Sequence, residues 1–213
     1  MTHILYGDIG SGSAMIEMAL AEANETVELR SVPLEGDHQL RKDYLAINPM
    51  GRVPTLILPD STVLTESLAI LLTIADLHPQ AGLMPAVGTS QRAIALRWMT
   101  LLAAEFYPHV TRWDYPLRFG PPEASDAIRD RATALGHDVL RVVEEHAGLR
   151  GGDAPFLLGD RFCLADIQLA VMSRWMGGRV WTPANLPRLE ALARAVAARP
   201  AIAPIWAAHR LSG

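Results

Sequence analysis

The sequence predicts two domains, a small α/β domain over residues 1–80 and an all-helical domain over residues 88–213. Short strand patterns alternate with helical periodicities up to about residue 80, whereas only helical periodicities follow from residue 90 onward. The stretch between them, "HPQAGLMPAVG" at residues 78–88, is rich in glycine and proline and is typical of a linker. Because half of the 213 residues are apolar, the chain is long enough to bury a sizeable core.

The first part of the α/β domain is predicted to run strand, helix, strand. Residues 3–7, "HILYG", have the content of a strand that Gly7 closes. Residues 13–24 carry apolar side chains at helical spacing. Residues 26–34, "TVELRSVPL", alternate well enough for a second strand.

The rest of this domain is predicted to add a helix, a hairpin and another helix. Residues 39–48, "QLRKDYLAIN", form a short helix that ends before Pro49, because a residue that precedes proline resists the helical conformation. The stretches "PTLILPD" and "STVLTE", residues 54–66, read as two antiparallel strands around a turn. Residues 67–78 form a strongly apolar helix that halts at Pro79. The predicted order is therefore β-α-β-α-β-β-α.

The second domain shows only helical patterns, with no internal repeat. Its predicted breaks contain glycine or proline and lie at residues 118–125, 148–160, 182–187 and 199–200.

Composition narrows the function classes. The net charge is −4 and no block of like charges occurs, which argues against a nucleic-acid partner. No window approaches the roughly 18 apolar residues of a membrane span, and the first residues lack the pattern of a signal peptide. A single cysteine, Cys163, excludes an internal disulfide and a CxxC redox pair. We expect a cytoplasmic protein without a membrane partner or a metal site.

Residues 7–15, "GDIGSGSAM", form a glycine- and serine-rich turn from the first strand into the first helix. Unpaired backbone N–H groups and the helix dipole at such a point stabilise an anion, and Ser11 and Ser13 add hydroxyl groups. The alternative is that the serines simply cap the helix. A phosphate-binding loop is disfavoured because the motif and its lysine are missing.

Two further clusters allow both a structural and a functional interpretation. Pro54 either starts a strand or follows a cis bond that turns the backbone of Val53 toward a peptide-like ligand. In "TES", Thr65 or Ser67 either caps the apolar helix, or Glu66 and Ser67 offer an acceptor and a hydroxyl to an amino-acid-like group.

The order and spacing of these clusters resemble the cytosolic glutathione S-transferase family, in its serine-type theta and bacterial form. The resemblance covers nearly the whole chain: "NPMGRVPTL" matches the segment with the cis-proline, "TESLAILLTIAD" matches the pair that opens helix 3, and "GDRFCLADI" at 159–167 matches a segment of the helical domain. It implies a thioredoxin-like N-terminal domain, followed by the all-helical C-terminal domain of the family.

The resemblance also implies roles for individual residues. Pro54 is expected to be cis, with the backbone of Val53 facing the cysteinyl part of glutathione. Glu66 and Ser67 are expected to contact the γ-glutamyl group. On the weaker ground of polarity and position, the candidates for the glycyl carboxylate are Arg52, His38 and Gln39.

The chemistry of the family requires a thiolate, and three residues are candidates to stabilise it. Ser11 is the first choice, because it stands where serine-type members carry their hydroxyl. Ser13 and Tyr6 remain alternatives, Tyr6 because tyrosine-type members place a donor at the end of strand 1. Cys163 stands where the family usually has Ser or Thr, and we interpret it as a structural residue at a helix start, with Asp166 completing a capping box.

The predicted function is conjugation of glutathione, as co-substrate, to a small apolar electrophile by a homodimeric enzyme. The electrophile is expected between the domains, near the aromatic-rich residues 90–118. Alternatives are a glutathione-dependent peroxidase, isomerase or dehalogenase on the same scaffold, or a non-catalytic binding or regulatory protein.

Overall fold

The computed structural model describes residues 2–149 and 151–212, whose contacts group into two units. The first unit contains the residues up to Met84 together with Ala197–Ser212, and the second contains Pro85–Val196. The division after Met84 lies within the predicted linker. The C-terminal segment differs from the expectation, because its contacts place it with the α/β unit rather than with the helical one.

The first unit is built on a four-stranded mixed sheet with the order β2-β1-β3-β4. The strands are β1 (His3–Gly7), β2 (Val27–Ser31), β3 (Thr55–Ile57) and β4 (Val63–Leu64). β1 is parallel to β2 and antiparallel to β3, which is antiparallel to β4. The two strands predicted at residues 54–66 thus form the expected hairpin.

The register of the sheet places Leu5 at its centre. Leu5 lies opposite Leu29 of β2 and Leu56 of β3, while Ile57 lies opposite Val63. Leu5 and Leu56 are fully buried, whereas Leu29 is 56% exposed because β2 is an edge strand. The buried centre therefore sits over β1 and β3.

Helices make up most of the remaining described chain. Their bounds are α1 Ser13–Glu22, α2 Lys42–Leu45, α3 Ser67–Leu77, α4 Ser90–Leu101, α5 Tyr107–Asp114, α6 Ser125–His146, α7 Leu164–Met172, α8 Gly178–Asn185, α9 Pro187–Ala197 and α10 Ala203–Ala208. In the first unit, α1 contacts β1, α3 and α10. Six apolar residues of α1 are fully buried, so this helix forms much of the core of the unit: Ala14, Met15, Ile16, Met18, Ala19 and Leu20.

In the second unit, α7 is the central element, since all nine of its residues are buried. A π-helical segment, Leu102–Phe106, joins α4 to α5, and Phe106 is fully buried. The break predicted at residues 182–187 is shorter than expected. α8 continues through Pro183, and α9 begins at Pro187, where a missing N–H costs nothing.

The predicted element order is confirmed, and one helix differs in length. The helix expected over residues 39–48 consists of a 3₁₀ turn, His38–Leu40, followed by α2. Arg41 separates them because its backbone is extended, with φ −72° and ψ 148°. None of the helices in the described part of the chain is both long and apolar enough to cross a membrane.

Candidate functional site

The turn between β1 and α1 arranges its two serine hydroxyls through a compact set of hydrogen bonds. Ser11 Oγ accepts from the N–H groups of Asp8, at 3.2 Å, and of Ser13, at 3.3 Å. Ser13 Oγ donates to the carbonyl of Asp8 at 3.2 Å, and the two hydroxyl oxygens lie 2.9 Å apart. If the Ser13 proton points at Asp8, the hydrogen bond between the hydroxyls is donated by Ser11. Ser13 is 3% exposed, whereas Ser11 is half-buried.

Two residues at the start of this turn, Asp8 and Gly7, contribute to its geometry. The Asp8 carboxylate accepts from the N–H groups of Ile9 and Leu34, both at 2.8 Å, which ties the turn to the segment after β2. Gly7 has no side chain, and a Cβ built there would overlap the side chain of Ser13. The N-cap position of α1 is Gly12, which has no side chain to cap the helix. The first N–H groups of α1 instead donate to Ser11, that of Ser13 to Oγ and that of Ala14 to the carbonyl oxygen.

The Val53–Pro54 bond is cis, as predicted. Strand pairing begins only at Thr55, so Val53 lies outside the ladder. The Val53 side chain is 8% exposed and packs in a small apolar cluster with Val32 and Tyr44. With the side chain directed into this cluster, the backbone of Val53 is the part that remains for a ligand.

A buried network fixes the backbone just before Val53. The Tyr44 hydroxyl and Asn48 Nδ2 both donate to the carbonyl of Arg52, at 2.6 and 2.8 Å. Thr55 Oγ1 lies 2.8 Å from the Tyr44 hydroxyl and accepts from Asn48 Nδ2 at 3.1 Å. Burial raises the pKa of Tyr44, which keeps its proton available for the carbonyl.

Glu66 and Ser67 lie at the start of α3. Contrary to the structural interpretation, neither Thr65 nor Ser67 is the N-cap residue of this helix. The N-cap residue is Glu66, with φ 63° and without a capping hydrogen bond from its side chain. A positive φ is uncommon for a residue with a side chain and is often found at functional positions. Glu66 is exposed and Ser67 is 8% exposed. Within the described residues, neither side chain has a hydrogen-bond partner, so both remain available to a ligand.

The three candidates for the glycyl carboxylate differ in availability. The Arg52 guanidinium is exposed and has no ion-pair partner within residues 2–149 and 151–212. His38 is half-buried and lines a cavity of about 390 Å³ with Tyr6 and Tyr44. Gln39 is 1% exposed, and its Nε2 donates to Asp37 Oδ1 at 2.8 Å. Arg52 and His38 are therefore more accessible than Gln39.

Tyr6 lies on the central strand β1, and its hydroxyl is held by a residue of the edge strand β2. Its hydroxyl accepts from Arg30 Nη1 at 2.8 Å, and its ring lies 5.8 Å from that of Tyr44. Because successive strand residues face opposite sides, Tyr6 lies on the side opposite Leu5 and packs toward α2.

Cys163 is buried at the N-cap of α7, and burial raises the pKa of its thiol far above the usual range. The Asp166 carboxylate accepts from the N–H of Cys163 at 2.7 Å and from that of Leu157 at 2.8 Å. This geometry agrees with a structural position for Cys163. No cluster of three His, Cys, Asp or Glu side chains suited to a metal ion occurs in the part of the chain that is described.

One contact at the turn has no signal in the sequence. His209, which follows α10, lies against Gly10 and against Glu17 of α1. Because 199 residues separate His209 from Gly10, neither periodicity nor spacing could indicate this contact.

Comparisons with known proteins agree with the fold. The family model of the glutathione S-transferase N-terminal domain matches residues 13–77. The uncharacterised GST-like protein YncG of Escherichia coli K12 is 30% identical, over 92% of this chain and 93% of its own length. Glutathione S-transferase 3 of Zea mays is also 30% identical, over 92% of this chain and 90% of its own.

A solved structure extends the agreement to three dimensions. A glutathione transferase homologue from Sulfitobacter with bound glutathione superposes with a TM-score of 0.87 at 32% identity, over 96% of both chains. The thioredoxin-like sheet, the cis-proline and the full-length similarity together lead to one conclusion: this chain belongs to the glutathione S-transferase family.

Proposed function

We propose that this protein is a glutathione S-transferase that binds glutathione along the segment before β3 and at the start of α3 and activates its thiol through Ser11. The thiolate then attacks a small apolar electrophile. A C–S bond forms, and the electron pair leaves with the displaced group or, in an addition, is taken up with a proton from solvent. The family membership and a glutathione-bound structural relative support this proposal.

The observation that carries the proposal is the hydrogen-bond arrangement around Ser11. Its oxygen already accepts from two N–H groups, so its remaining capacity is to donate a proton. Among the described residues, the acceptor within reach of this proton is Ser13 Oγ, 2.9 Å away. A thiolate beside the turn offers a charged acceptor, and hydrogen bonds to charged groups are about twice as strong as neutral ones.

The other two candidate donors are less well placed. Ser13 is buried and its hydroxyl is within 3.2 Å of the Asp8 carbonyl, which competes for its proton. The Tyr6 hydroxyl is bound by Arg30 at the edge of the sheet. The start of α1 adds about half a positive charge near Ser11, which also favours the thiolate.

The same proposal assigns the peptide part of glutathione. The Val53 backbone would pair with the cysteinyl unit. Glu66 would accept from the γ-glutamyl ammonium, while Ser67 and the N–H groups at the start of α3 would bind its carboxylate. The glycyl carboxylate is assigned to Arg52 with His38, and Gln39 would support that region through Asp37.

Two further expectations belong to this function. We expect a homodimer, which light scattering of the purified protein measures directly. We also expect the enzyme to work in the cytoplasm, where thiols are kept reduced and glutathione is available as its thiol, in a detoxifying reaction.

The proposal is tested first by binding. Glutathione at 100 times its dissociation constant should stabilise the fold by about 2.7 kcal/mol, seen as a rise in melting temperature. Glu66→Ala and Ser67→Ala should each reduce this rise. No rise at millimolar glutathione in the wild type would remove the enzyme function altogether.

The second test concerns the thiol. A free thiol has a pKa of about 8.5, and the lost hydrogen bond to a thiolate is worth about 1.5–3 kcal/mol, or one to two pKa units. Ser11→Ala should therefore raise the pKa of bound glutathione with little change in affinity. Conjugation of a nitro-activated aryl halide at pH 7 should fall about ten- to a hundredfold and partly recover at higher pH.

The measurement is thiolate absorbance of bound glutathione against pH in Ser11→Ala, Ser13→Ala and Tyr6→Phe. A shift in Tyr6→Phe alone would show that Ser11 is not the donor. Thiolate formation without conjugation would favour a peroxidase, isomerase or dehalogenase, and binding without thiolate formation would favour a non-catalytic protein.

A further inference from the structure

His209 contacts the candidate catalytic turn from the far end of the chain. It is the C-cap residue of α10, is 7% exposed, and belongs to the same unit as the turn. Its Nδ1 lies 3.0 Å from the backbone nitrogen of Gly10, and its Nε2 lies 2.9 Å from Glu17 Oε2. The imidazole therefore bridges the turn and α1.

The chemistry of the two contacts determines the tautomer. A backbone N–H can only donate, so Nδ1 must accept from Gly10 and carry no proton. The proton of the neutral ring is then on Nε2, where it is donated to the Glu17 carboxylate. Glu17 thus selects the tautomer that holds Gly10, in the same way that a carboxylate orients a metal-bound or catalytic histidine.

The backbone conformation of Gly10 suits glycine, because its φ of 74° is one that residues with a side chain rarely adopt. Space is not the constraint, since a Cβ there would lie 3.6 Å from the carbonyl oxygen of His209, in ordinary van der Waals contact. The Gly10 N–H belongs to the Ile9–Gly10 peptide plane, so its bond to His209 restrains the peptide unit one residue before the proposed donor, Ser11.

Other hydrogen bonds of the turn are local or reach the segment after β2. Ser11 N–H donates to the Asp8 carbonyl at 3.1 Å, and the Asp8 carboxylate reaches Leu34. These bonds keep the shape of the turn, whereas the bond to His209 relates the turn to α1 and α10. A hydrogen bond to sulfur depends on distance and angle, so a shift of the turn as a body would weaken it.

We propose that His209 is a positioning residue, which holds Gly10 and thereby Ser11 where the hydroxyl can reach the glutathione sulfur, with Glu17 orienting its ring. This inference rests on the proposed role of Ser11. It predicts an effect on the thiolate and not on peptide binding, because the residues proposed to bind the peptide lie outside this turn, in the segment before β3, at the start of α3 and at the 3₁₀ turn that begins at His38.

Two amide variants of His209 test its contact with Gly10 and its contact with Glu17 independently. In His209→Asn, the side-chain oxygen can occupy the place of Nδ1 and accept from Gly10, while the contact to Glu17 is lost. In His209→Gln, the longer side chain reaches the place of Nε2 and donates to Glu17, while the acceptor for Gly10 is lost. The pair matches in polarity and differs in which contact it retains.

The expected result is a difference between these variants in the thiolate titration. His209→Gln should raise the pKa of bound glutathione by roughly half a unit to one unit, the range for one neutral hydrogen bond, and lower conjugation at pH 7 by about three- to tenfold. His209→Asn should stay within about twofold of the wild type. Below the pKa of the bound thiol, where glutathione binds as the neutral thiol, its dissociation constant should be unchanged in both variants.

A second readout reports on the bond without glutathione. Amide hydrogen exchange at Gly10 should accelerate in His209→Gln and stay protected in His209→Asn. Melting temperatures of both variants show whether either change acts only through global stability. Equal thiol titrations in the two variants, or a lower melting temperature in His209→Gln with an unchanged thiol pKa, would overturn the positioning role.

Ser11→Ala, measured in the same titration, separates this inference from the proposed function. A raised thiol pKa in Ser11→Ala together with wild-type behaviour of His209→Gln overturns the role of His209 and retains that of Ser11. An unchanged thiol pKa in Ser11→Ala overturns the role of Ser11, and the inference about His209 falls with it.

Discussion

Removal of the Asp166 carboxylate is expected to destabilise the helical unit severely. Asp166 is fully buried and accepts two hydrogen bonds, at 2.7 Å from the N–H of Cys163 and at 2.8 Å from that of Leu157. The first bond caps the start of α7, and the second holds the preceding loop onto it. One side chain thus binds both the N-cap residue of α7 and the loop that precedes this helix.

The magnitude follows from these two bonds. Hydrogen bonds to a charged group contribute about 1.5–3 kcal/mol each, and Asp166→Ala leaves both N–H groups buried without an acceptor. We therefore expect Asp166→Ala to lower the free energy of unfolding by about 3–5 kcal/mol, a large part of the stability of an ordinary domain. Asp166→Asn keeps the shape and one acceptor but turns an N–H₂ group toward the other donor, so about 1.5–3 kcal/mol should be lost.

The assay is urea unfolding followed by far-ultraviolet circular dichroism, with the denaturant slope compared between variants. Asp138→Ala is the matched control in the same unit. Asp138 pairs with Arg141 at 2.7 Å, but its side chain is 63% exposed, so less than about 1 kcal/mol should be lost. If Asp166→Ala lowers the free energy of unfolding by no more than Asp138→Ala does, the two hydrogen bonds of the Asp166 carboxylate do not stabilise the start of α7.

Two further changes probe other parts of the molecule. Gly7→Ala places a methyl group where it overlaps the buried side chain of Ser13, so the start of α1 must move. We expect the free energy of unfolding to fall by about 1–3 kcal/mol and the pKa of the bound glutathione thiol to rise. An unchanged urea midpoint would show that the turn adapts freely. His137 stacks on Trp181 with 3.5 Å between ring centroids, and burial, with a smaller contribution from Arg141, lowers its pKa below 6.5. Since the unfolded chain then binds a proton more readily, stability should fall as the pH drops below 6.5, and His137→Phe should reduce this fall; equal pH dependence in both proteins would contradict the assignment.

Local signals in the sequence were sufficient for much of this protein. The β-α-β-α-β-β-α order, the hairpin at residues 54–66 and the helices on either side of it depend on periodicity and on turn residues that act within a few positions. The cis Val53–Pro54 bond was predicted because a proline at the head of an apolar strand, within "NPMGRVPTL", resembles a family pattern.

Other features depended on the tertiary structure even though they are local. Glu66, and not Thr65 or Ser67, is the N-cap of α3, with a positive φ that propensity disfavours. The helix expected at residues 39–48 breaks at Arg41. The short helix α2 that follows carries Tyr44, whose hydroxyl donates to the carbonyl of Arg52. In both cases the observed conformation departs from the preferences of single residues, which are small and which tertiary context readily overrides.

The sequence by itself determined the family, the order of the elements and the turn that carries Ser11. Only the tertiary structure decided that Ala197–Ser212 joins the α/β unit and that His209 holds Gly10, 199 positions away in the chain. Sequence patterns report which residues share a face of one helix or strand, and they carry no information on which distant element that face meets. That choice is made by the packing of whole elements, because a contact between distant segments forms only where burial offsets the entropy of closing the chain between them.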